Sequence, residues 1–261
     1  MRDRLVKILD NSMAEDASYK VLSFYEYLDL IVKKPWVTRD TFQLLHDMIL
    51  SRGVEHSLTA GKPVKHRYSF FEDTEMVGPF IVFGQQKAKE NVVEKIDNAS
   101  RGLEASKRLW ILLGPPGSAK SRSMDGIKTA LNLYSRSEAG LTYTLLLPTV
   151  DERLKDRALF EEDGVYYLQS PLCERPLQLI PHQTRTAFCE ELNASVDNET
   201  MSKFLQEHPH YDNVFKINVS GNMSPYSQYI IEDFMKTKGI SFTEMLDYIK
   251  EIGRASCRER V

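Results

Sequence analysis

One short loop holds the residues of this sequence best suited to chemistry. In order they are Gly114, Pro115, Pro116, Gly117, Ser118, Ala119, Lys120 and Ser121. They match G-x-x-x-x-G-K-[ST], with Ala119 where the last glycine is usual. The two glycines allow a sharp turn that brings backbone N–H groups close to phosphate oxygens. Lys120 supplies a mobile positive charge, and the Ser121 hydroxyl can ligate magnesium. The loop therefore predicts binding of a nucleoside triphosphate, ATP with magnesium.

Such a loop needs a strand before it and a helix after it. Residues 109–113 read LWILL, a continuous apolar run that predicts a strand buried on both faces, as in a parallel sheet. A helix is expected from about Ser121 to Tyr134, and a second strand from Tyr143 to Leu147. The order strand, helix, strand predicts a βαβ unit and an α/β fold.

Ala119 raises a steric question about the loop. A methyl group at this position can crowd the phosphates if the backbone needs a positive φ angle, which glycine adopts far more easily. The sequence alone leaves the φ angle open.

Pattern changes along the chain predict four segments. Residues 1–75 are expected to form a small helical N-terminal segment, and residues 76–150 the start of the α/β core. Residues 151–250 are expected to be a mixed α+β insertion, with a helix near Ala187–Leu192 and a strand at Val214–Val219. Two further helices are predicted to start at Ser224 and Ser241, the first before a proline and the second in a capping box.

The last eleven residues, EIGRASCRERV, continue no apolar period. They resemble the translation of a common sequencing-library adapter. Residues 251–261 are therefore expected to be non-native, and the natural chain is expected to continue beyond Lys250.

Composition excludes several classes of protein. The formal net charge is −3, and no long block of one sign suggests a nucleic-acid-binding face. No apolar run approaches the roughly 18 residues of a membrane span. The three cysteines are too few and too scattered for a disulfide framework. These features predict a cytoplasmic protein with neither nucleic acid nor membrane as a partner.

Hydrolysis needs a second acidic motif at the end of an apolar strand. Residues 145–152, LLLPTVDE, match it only superficially because Pro148 interrupts the run. Two other acidic clusters, residues 161–163 and 190–191, are typical of solvated surfaces. No catalytic residue is therefore predicted within residues 1–250.

Three segments resemble the PrkA-type serine protein kinases with an N-terminal AAA+ domain. They are FGQQKAKENVVEKI at 83–96, GPPGSAKS at 114–121 and SPLCERPLQLIP at 170–181. The GPPGxAKS form, with alanine before the lysine, is frequent in AAA+ proteins. The resemblance implies an incomplete three-layer P-loop NTPase core, ATP as ligand, and a protein substrate for the full-length protein. It also implies a possible homo-oligomer, with the second acidic motif, sensors and arginine finger beyond the end of this chain.

The resemblance implies that some relatives carry zinc-ligand pairs at two places. The corresponding positions here are Ser170 with Cys173, and Ser224 with Ser227. Because one potential ligand of four remains, a zinc site is not expected in this chain.

Two other functions stay open. A MoxR-like remodelling ATPase shares GPPGxAKS but lacks the segment at 170–181. A P-loop kinase for a small metabolite would need a lid with arginines. Candidates for that lid are Arg153, Arg157, Arg175 and Arg185.

Overall fold

The computed structural model describes residues 20–57, 65–208 and 215–253. In chain order the helices are α1 (Phe24–Lys33), α2 (Thr41–Leu50), α3 (Thr74–Val77), α4 (Gln86–Ser100), α5 (Lys120–Tyr134), α6 (His182–Ser195), α7 (Asn198–Glu207), α8 (Pro225–Lys238) and α9 (Phe242–Met245). The strands are β1 (Leu22–Ser23), β2 (Val54–Ser57), β3 (Lys65–Tyr68), β4 (Tyr143–Thr149), β5 (Ala158–Glu162), β6 (Val165–Gln169) and β7 (Lys250–Gly253). Short 3₁₀ helices lie at Pro35–Thr38, Ser69–Glu72, Gly78–Phe80, Glu104–Lys107, Glu152–Arg157, Pro176–Leu179 and Leu246–Tyr248.

The chain forms two compact units. One, the loop unit, is Arg39–Gly140. The other, the sheet unit, contains the described residues on either side of it, 20–38 and 141–253 with a gap at 209–214. These boundaries differ from the segment boundaries expected at residues 75 and 150.

The loop unit is mainly helical. Asp40 caps α2 by accepting from the backbone N–H of Gln43, whose side chain accepts from the N–H of Asp40 in return. The apolar faces of α2, α4 and α5 share one core, with these members buried: Leu44, Met48, Ile49, Phe70, Phe71, Met76, Val77, Val93, Ile96, Ile127, Ala130, Leu131 and Tyr134. An antiparallel hairpin of β2 and β3 joins the unit, and it was not anticipated in a segment expected to be helical.

The sheet unit contains five antiparallel strands in the order β1-β7-β4-β6-β5. Leu147 on β4 lies opposite Leu168 on β6, and Leu145 lies opposite Glu251 on β7. Strand β4 is buried along its whole length. The second strand was therefore predicted correctly, but the parallel βαβ arrangement is wrong because both neighbours of β4 run antiparallel to it.

Helix signals in the sequence were reliable. Ser224 caps α8, and Ser241 forms a capping box with Glu244 at the start of α9. Helix α6 covers the predicted segment 187–192 and extends beyond it on both sides. Helices α8 and α9 begin at local signals of the kind that a single sequence carries.

The strand predicted at Val214–Val219 is not formed over its described part, residues 215–219. Val214 lies outside the described residues. The alternating side chains of Phe215, Ile217 and Val219 are buried, as the pattern suggested. However, the side-chain amide of Asn193 both accepts from the N–H of Ile217 and donates to its carbonyl, so it occupies the place of a neighbouring strand.

No helix among the described residues is long and apolar enough to cross a membrane.

Candidate nucleotide-binding site

The predicted phosphate loop lies in the loop unit, directly before α5. Helix α5 begins at Lys120 and ends at Tyr134, which confirms the predicted helix. Gly126 in the middle of α5 allows a close approach, because a Cβ there would lie 3.3 Å from the Cβ of Val77 and 3.4 Å from that of Phe80. This contact packs the middle of α5 against residues 77 and 80.

The loop backbone has two residues in the left-handed region. Gly117 has φ +76°, and Ala119, at the N-cap of α5, has φ 55° and ψ 18°. The φ angle left open by the sequence is therefore positive. Alanine in this region costs about 1 kcal/mol relative to its ordinary conformations, while glycine does not carry that cost.

Lys120 folds over the inner side of the loop. Its Nζ donates to the carbonyl oxygens of Gly114 and Pro115, each at 2.8 Å, and to Ser118 Oγ at 2.9 Å. The same Ser118 hydroxyl donates to the Pro115 carbonyl at 2.8 Å. The ammonium group thus lies against two carbonyl oxygens and one hydroxyl oxygen of the loop, whereas the motif predicts that the backbone N–H groups bind phosphate.

Three features of the loop fit a polyphosphate. A Cβ on Gly114 would lie 3.0 Å from Ser118 Oγ and 3.8 Å from Lys120 Nζ, so only glycine leaves this inner space open. Ser121 is exposed at the start of α5, where its hydroxyl can reach a magnesium ion held by the phosphates. Partial positive charge at the start of the helix also favours an anion here.

The prediction of a buried strand at residues 109–113 is wrong. These residues form no strand, and the exposed fractions of Leu109, Ile111 and Leu113 are 88%, 70% and 87%. Trp110 alone turns inward, packing on Phe42 with ring centroids 5.4 Å apart. A strand becomes buried on both faces only with neighbours on both edges, and among the described residues this segment has no strand neighbour.

Two cationic side chains bind the backbone of residues 79–82. Arg122 donates from Nε to the carbonyl of Ile81 at 2.8 Å and from Nη2 to that of Pro79. Lys89 on α4 is buried and donates to the carbonyl of Val82 at 2.6 Å, with Glu72 at 3.4 Å. Arg122 therefore binds backbone outside the phosphate loop.

Asp151, in the segment 145–152 that superficially matches the second acidic motif, makes hydrogen bonds to its near neighbours. Asp151 accepts from the backbone N–H and the guanidinium of Arg153, and these hydrogen bonds hold the pKa of its carboxyl below the ordinary value. Asp151 also caps the 3₁₀ helix at Glu152–Arg157. In the separate acidic cluster at residues 161–163, Glu162 forms an ion pair with Lys250 on β7.

The four arginines considered for a lid lie in the sheet unit. Arg185 is buried and donates to the carbonyls of Gln178, Ile180 and Gly221. Arg175 donates to the Ser220 carbonyl, Arg153 pairs with Asp151, and Arg157 is exposed. The hydrogen bonds of Arg185 tie together three parts of its own unit.

Sequence reasoning missed a buried cluster around Glu174. Its carboxylate accepts from Ser170 Oγ at 2.7 Å, from Ser227 Oγ and from the N–H of Ser224. The exposed fractions of Ser170, Glu174 and Ser227 are 1%, 6% and 0%. Three of the four positions compared with zinc ligands in relatives thus converge on a carboxylate. Among the described residues, no group of three or more His, Cys, Asp or Glu side chains is arranged to hold a metal ion.

Comparison with known proteins gives one family. A sequence model described as the PrkA AAA domain matches residues 22–204. The chain is 26% identical over 176 residues to a Bacillus subtilis (strain 168) protein named ATP-dependent protease PrkA, and the alignment covers 67% of this chain and 22% of that protein.

A second relative is an uncharacterised protein encoded 5′ of gldA in Geobacillus stearothermophilus. It is 30% identical over 88 residues, which are 33% of this chain and 78% of that protein. No solved structure matches the chain. Because the family model covers well over half of the sequence, the chain belongs to the PrkA AAA domain family and contains an AAA-type domain of mixed helix and strand content.

Proposed function

We propose that this chain binds ATP with magnesium through residues 114–121, as the nucleotide module of a PrkA-type protein. The observation that carries the proposal is the position of Lys120. Its ammonium lies inside the loop at the start of α5, in which Gly117 and Ala119 have positive φ angles. In our proposal the N–H groups of the loop and Lys120 hold the triphosphate. Ser121 ligates the magnesium ion, which neutralises phosphate charge.

Replacement of the loop lysine tests this proposal. We expect Mg-ATP to raise the melting temperature of the wild-type chain, and Lys120→Ala to abolish most of that increase. Lys128→Ala is the matched control, because Lys128 lies on the same helix with a side chain 73% exposed. An equal ATP-induced shift in Lys120→Ala and wild type would place the nucleotide elsewhere.

The magnesium part of the proposal has its own test. Ser121→Ala removes the proposed metal ligand and leaves Lys120 in place. We expect the affinity of this variant for ATP to lose most of its dependence on magnesium concentration. Equal magnesium dependence in Ser121→Ala and wild type would exclude Ser121 as a ligand.

Activity beyond nucleotide binding belongs to the whole protein, and the alignment spans only 22% of the Bacillus relative. We propose that the full-length protein acts on a protein substrate, as a serine kinase or, as the name of that relative suggests, as an ATP-dependent protease. Incubating the full-length protein with casein and ATP distinguishes the two activities. Phosphoserine on intact casein supports the kinase, and ATP-dependent release of peptides supports the protease.

Self-association is a further part of the proposal. AAA-type modules of this kind are expected to assemble with copies of themselves, and we propose a homo-oligomer for the full-length protein. Light scattering with and without ATP tests this, and a monomer under both conditions would contradict it.

A further inference from the structure

The lysine of the phosphate loop is fully engaged by the loop itself. An ammonium group has three N–H donors. In Lys120 these three meet the carbonyl oxygens of Gly114 and Pro115 and the hydroxyl oxygen of Ser118, at 2.8, 2.8 and 2.9 Å. In this conformation no N–H of Lys120 is left for a phosphate oxygen.

Ser118 differs from the other two acceptors. Gly114 and Pro115 contribute backbone carbonyls, which every residue at those positions would provide. Ser118 contributes a side-chain oxygen, and its own proton goes to the Pro115 carbonyl at 2.8 Å. That donation turns a hydroxyl lone pair toward Lys120 and ties Ser118 to one of the carbonyls that hold the ammonium.

We propose that Ser118 is a positioning residue that holds Lys120 in a closed loop and thereby weakens nucleotide binding. The proposal rests on the proposed function of residues 114–121. ATP must compete with the loop for the ammonium, so its measured affinity is the affinity of the open loop reduced by the fraction of loops that are open. Removal of the Ser118 hydroxyl raises that fraction.

The space around the hydroxyl supports this role. A Cβ on Gly114 would lie 3.0 Å from Ser118 Oγ, which is tighter than an ordinary contact, so the side chain of Ser118 fits closely against the backbone of Gly114. Ser118, Ala119 and Lys120 are half-buried, whereas residues 114–117 and Ser121 are exposed. The hydroxyl therefore faces the inside of the loop, where the lysine lies.

The first experiment compares the affinities of Ser118→Ala and wild type for Mg-ATP by calorimetry. We expect the Kd of Ser118→Ala to be about three to ten times lower, since a hydrogen bond to a charged group is lost from the closed form and partial exposure reduces its strength. Ser118→Thr keeps the hydroxyl and is expected to bind within about twofold of wild type. An equal or higher Kd in Ser118→Ala would overturn the proposal.

Ser106→Ala is the matched control. Ser106 Oγ donates to the carbonyl three residues before it, that of Leu103, at 2.8 Å, as Ser118 does to Pro115. It does not touch Lys120, so its Kd is expected to equal that of wild type. The melting temperatures of both alanine variants without ATP should also equal that of wild type.

A second measurement does not depend on ATP. Without nucleotide, we expect an amine-acetylating reagent to modify Lys120 faster in Ser118→Ala than in wild type, with Lys128 as the internal reference in each digest. Equal rates would contradict the closed loop. If neither wild type nor any variant binds ATP, but Lys120 is still acetylated faster in Ser118→Ala, the proposed nucleotide site is wrong. The hydrogen bond between Ser118 and Lys120 is then still supported. If wild type binds ATP and Ser118→Ala binds no tighter, only the role of Ser118 fails.

Discussion

Ser227 and Glu174 share a buried hydrogen bond although they lie 53 residues apart in the sequence. Ser227 is in the first turn of α8, and Glu174 follows the turn at residues 170–173, whose Ser170 donates to the same carboxylate oxygen. The carboxylate also accepts from the N–H of Ser224, at the N-cap of α8. A negative charge at the start of a helix is favourable. The carboxylate of Glu174 therefore links the 170–173 turn to α8, as a bound anion could.

We expect Glu174→Ala to lower the free energy of unfolding by about 3 kcal/mol, because two buried hydroxyl donors and one partly buried N–H lose their acceptor. Glu174→Gln keeps one acceptor oxygen and should cost about half as much. Urea unfolding measures both. Glu190→Ala, on the exposed surface of α6, is the control and should change the free energy by less than about 0.5 kcal/mol. A cost for Glu174→Ala as small as that of the control would contradict the role of the cluster.

Lys89 gives a prediction for the loop unit. Lys89→Met keeps the apolar stem but removes the hydrogen bond to the Val82 carbonyl and the ion pair with Glu72. We expect a loss of about 1 to 3 kcal/mol in unfolding free energy, since the Val82 carbonyl loses its donor in a site where Lys89 is 5% exposed, while Glu72 keeps its pair with Arg67.

The control for Lys89→Met is Lys87→Met on the same helix, at an exposed position. It makes the same chemical change without removing a buried contact, so the unfolding free energy should stay within about 0.5 kcal/mol of wild type. Equal losses in the two variants would show that the Val82 contact does not stabilise the unit.

The exposed run at residues 109–113 gives a contrasting prediction. Leu109→Thr, Ile111→Thr and Leu113→Thr together should change the unfolding free energy by less than about 1 kcal/mol, because these side chains are 88%, 70% and 87% exposed. Trp110→Ala should cost about 2 to 3 kcal/mol through the lost contact with Phe42 and the lost hydrogen bond to Ala105. A large loss in the triple variant would show that the run is covered in solution.

Glu251 makes stability depend on pH. Both carboxylate oxygens are buried, and neither has a hydrogen-bond partner among the described residues. Burial raises the pKa of this carboxyl well above its ordinary value of 4.5, and the nearby charge of Glu26 raises it further. The folded state therefore holds a proton that the unfolded state releases. Stability from this group is complete below about pH 4.5 and falls as pH rises through the folded pKa.

Glu251→Gln removes the titration. We expect this variant to lose the decline above pH 4.5 and, at pH 7, to exceed wild type by about 2 kcal/mol or more in unfolding free energy. Urea unfolding between pH 4 and 8 measures the difference, with exposed Glu191→Gln as the control. Parallel pH profiles for wild type and Glu251→Gln would contradict the buried unpaired carboxylate.

A non-native residue 251 would account for this unpaired carboxylate. The adapter origin of residues 251–261 stays a prediction, and Arg254 onward lies outside the described residues. The nucleotide sequence across codon 251 tests it, since ordinary coding sequence there would exclude an adapter.

The accuracy of sequence-based prediction followed the range of the interactions involved. Helices α5, α8 and α9 begin at signals within a few residues of their start, so their positions were predictable. The pairing of β4 with β7 depends on residues about a hundred positions apart, and the apolar pattern of β4 carries no information about direction.

The same limit applies to the candidate site. The motif identified Gly114, Lys120 and Ser121, and the helix after them, from eight consecutive residues. It could not give the positive φ of Ala119, which depends on the backbone path. Nor could the burial of residues 109–113 be derived, because an apolar run shows what a segment prefers but not whether neighbouring strands are present. The Glu174 cluster was missed because its members come from two distant segments.

The loop unit is inserted, in sequence, within the sheet unit. Its first residue, Arg39, donates from its guanidinium to the carbonyl of Ala139, one residue before the last, and also pairs with Asp47. The polypeptide therefore enters and leaves this unit at adjacent points. A segment with such neighbouring ends can be exchanged for the equivalent piece of a relative without stretching the flanking chain, so hybrid proteins joined at Arg39 and Gly140 would test whether the loop unit carries the nucleotide binding that we propose for it.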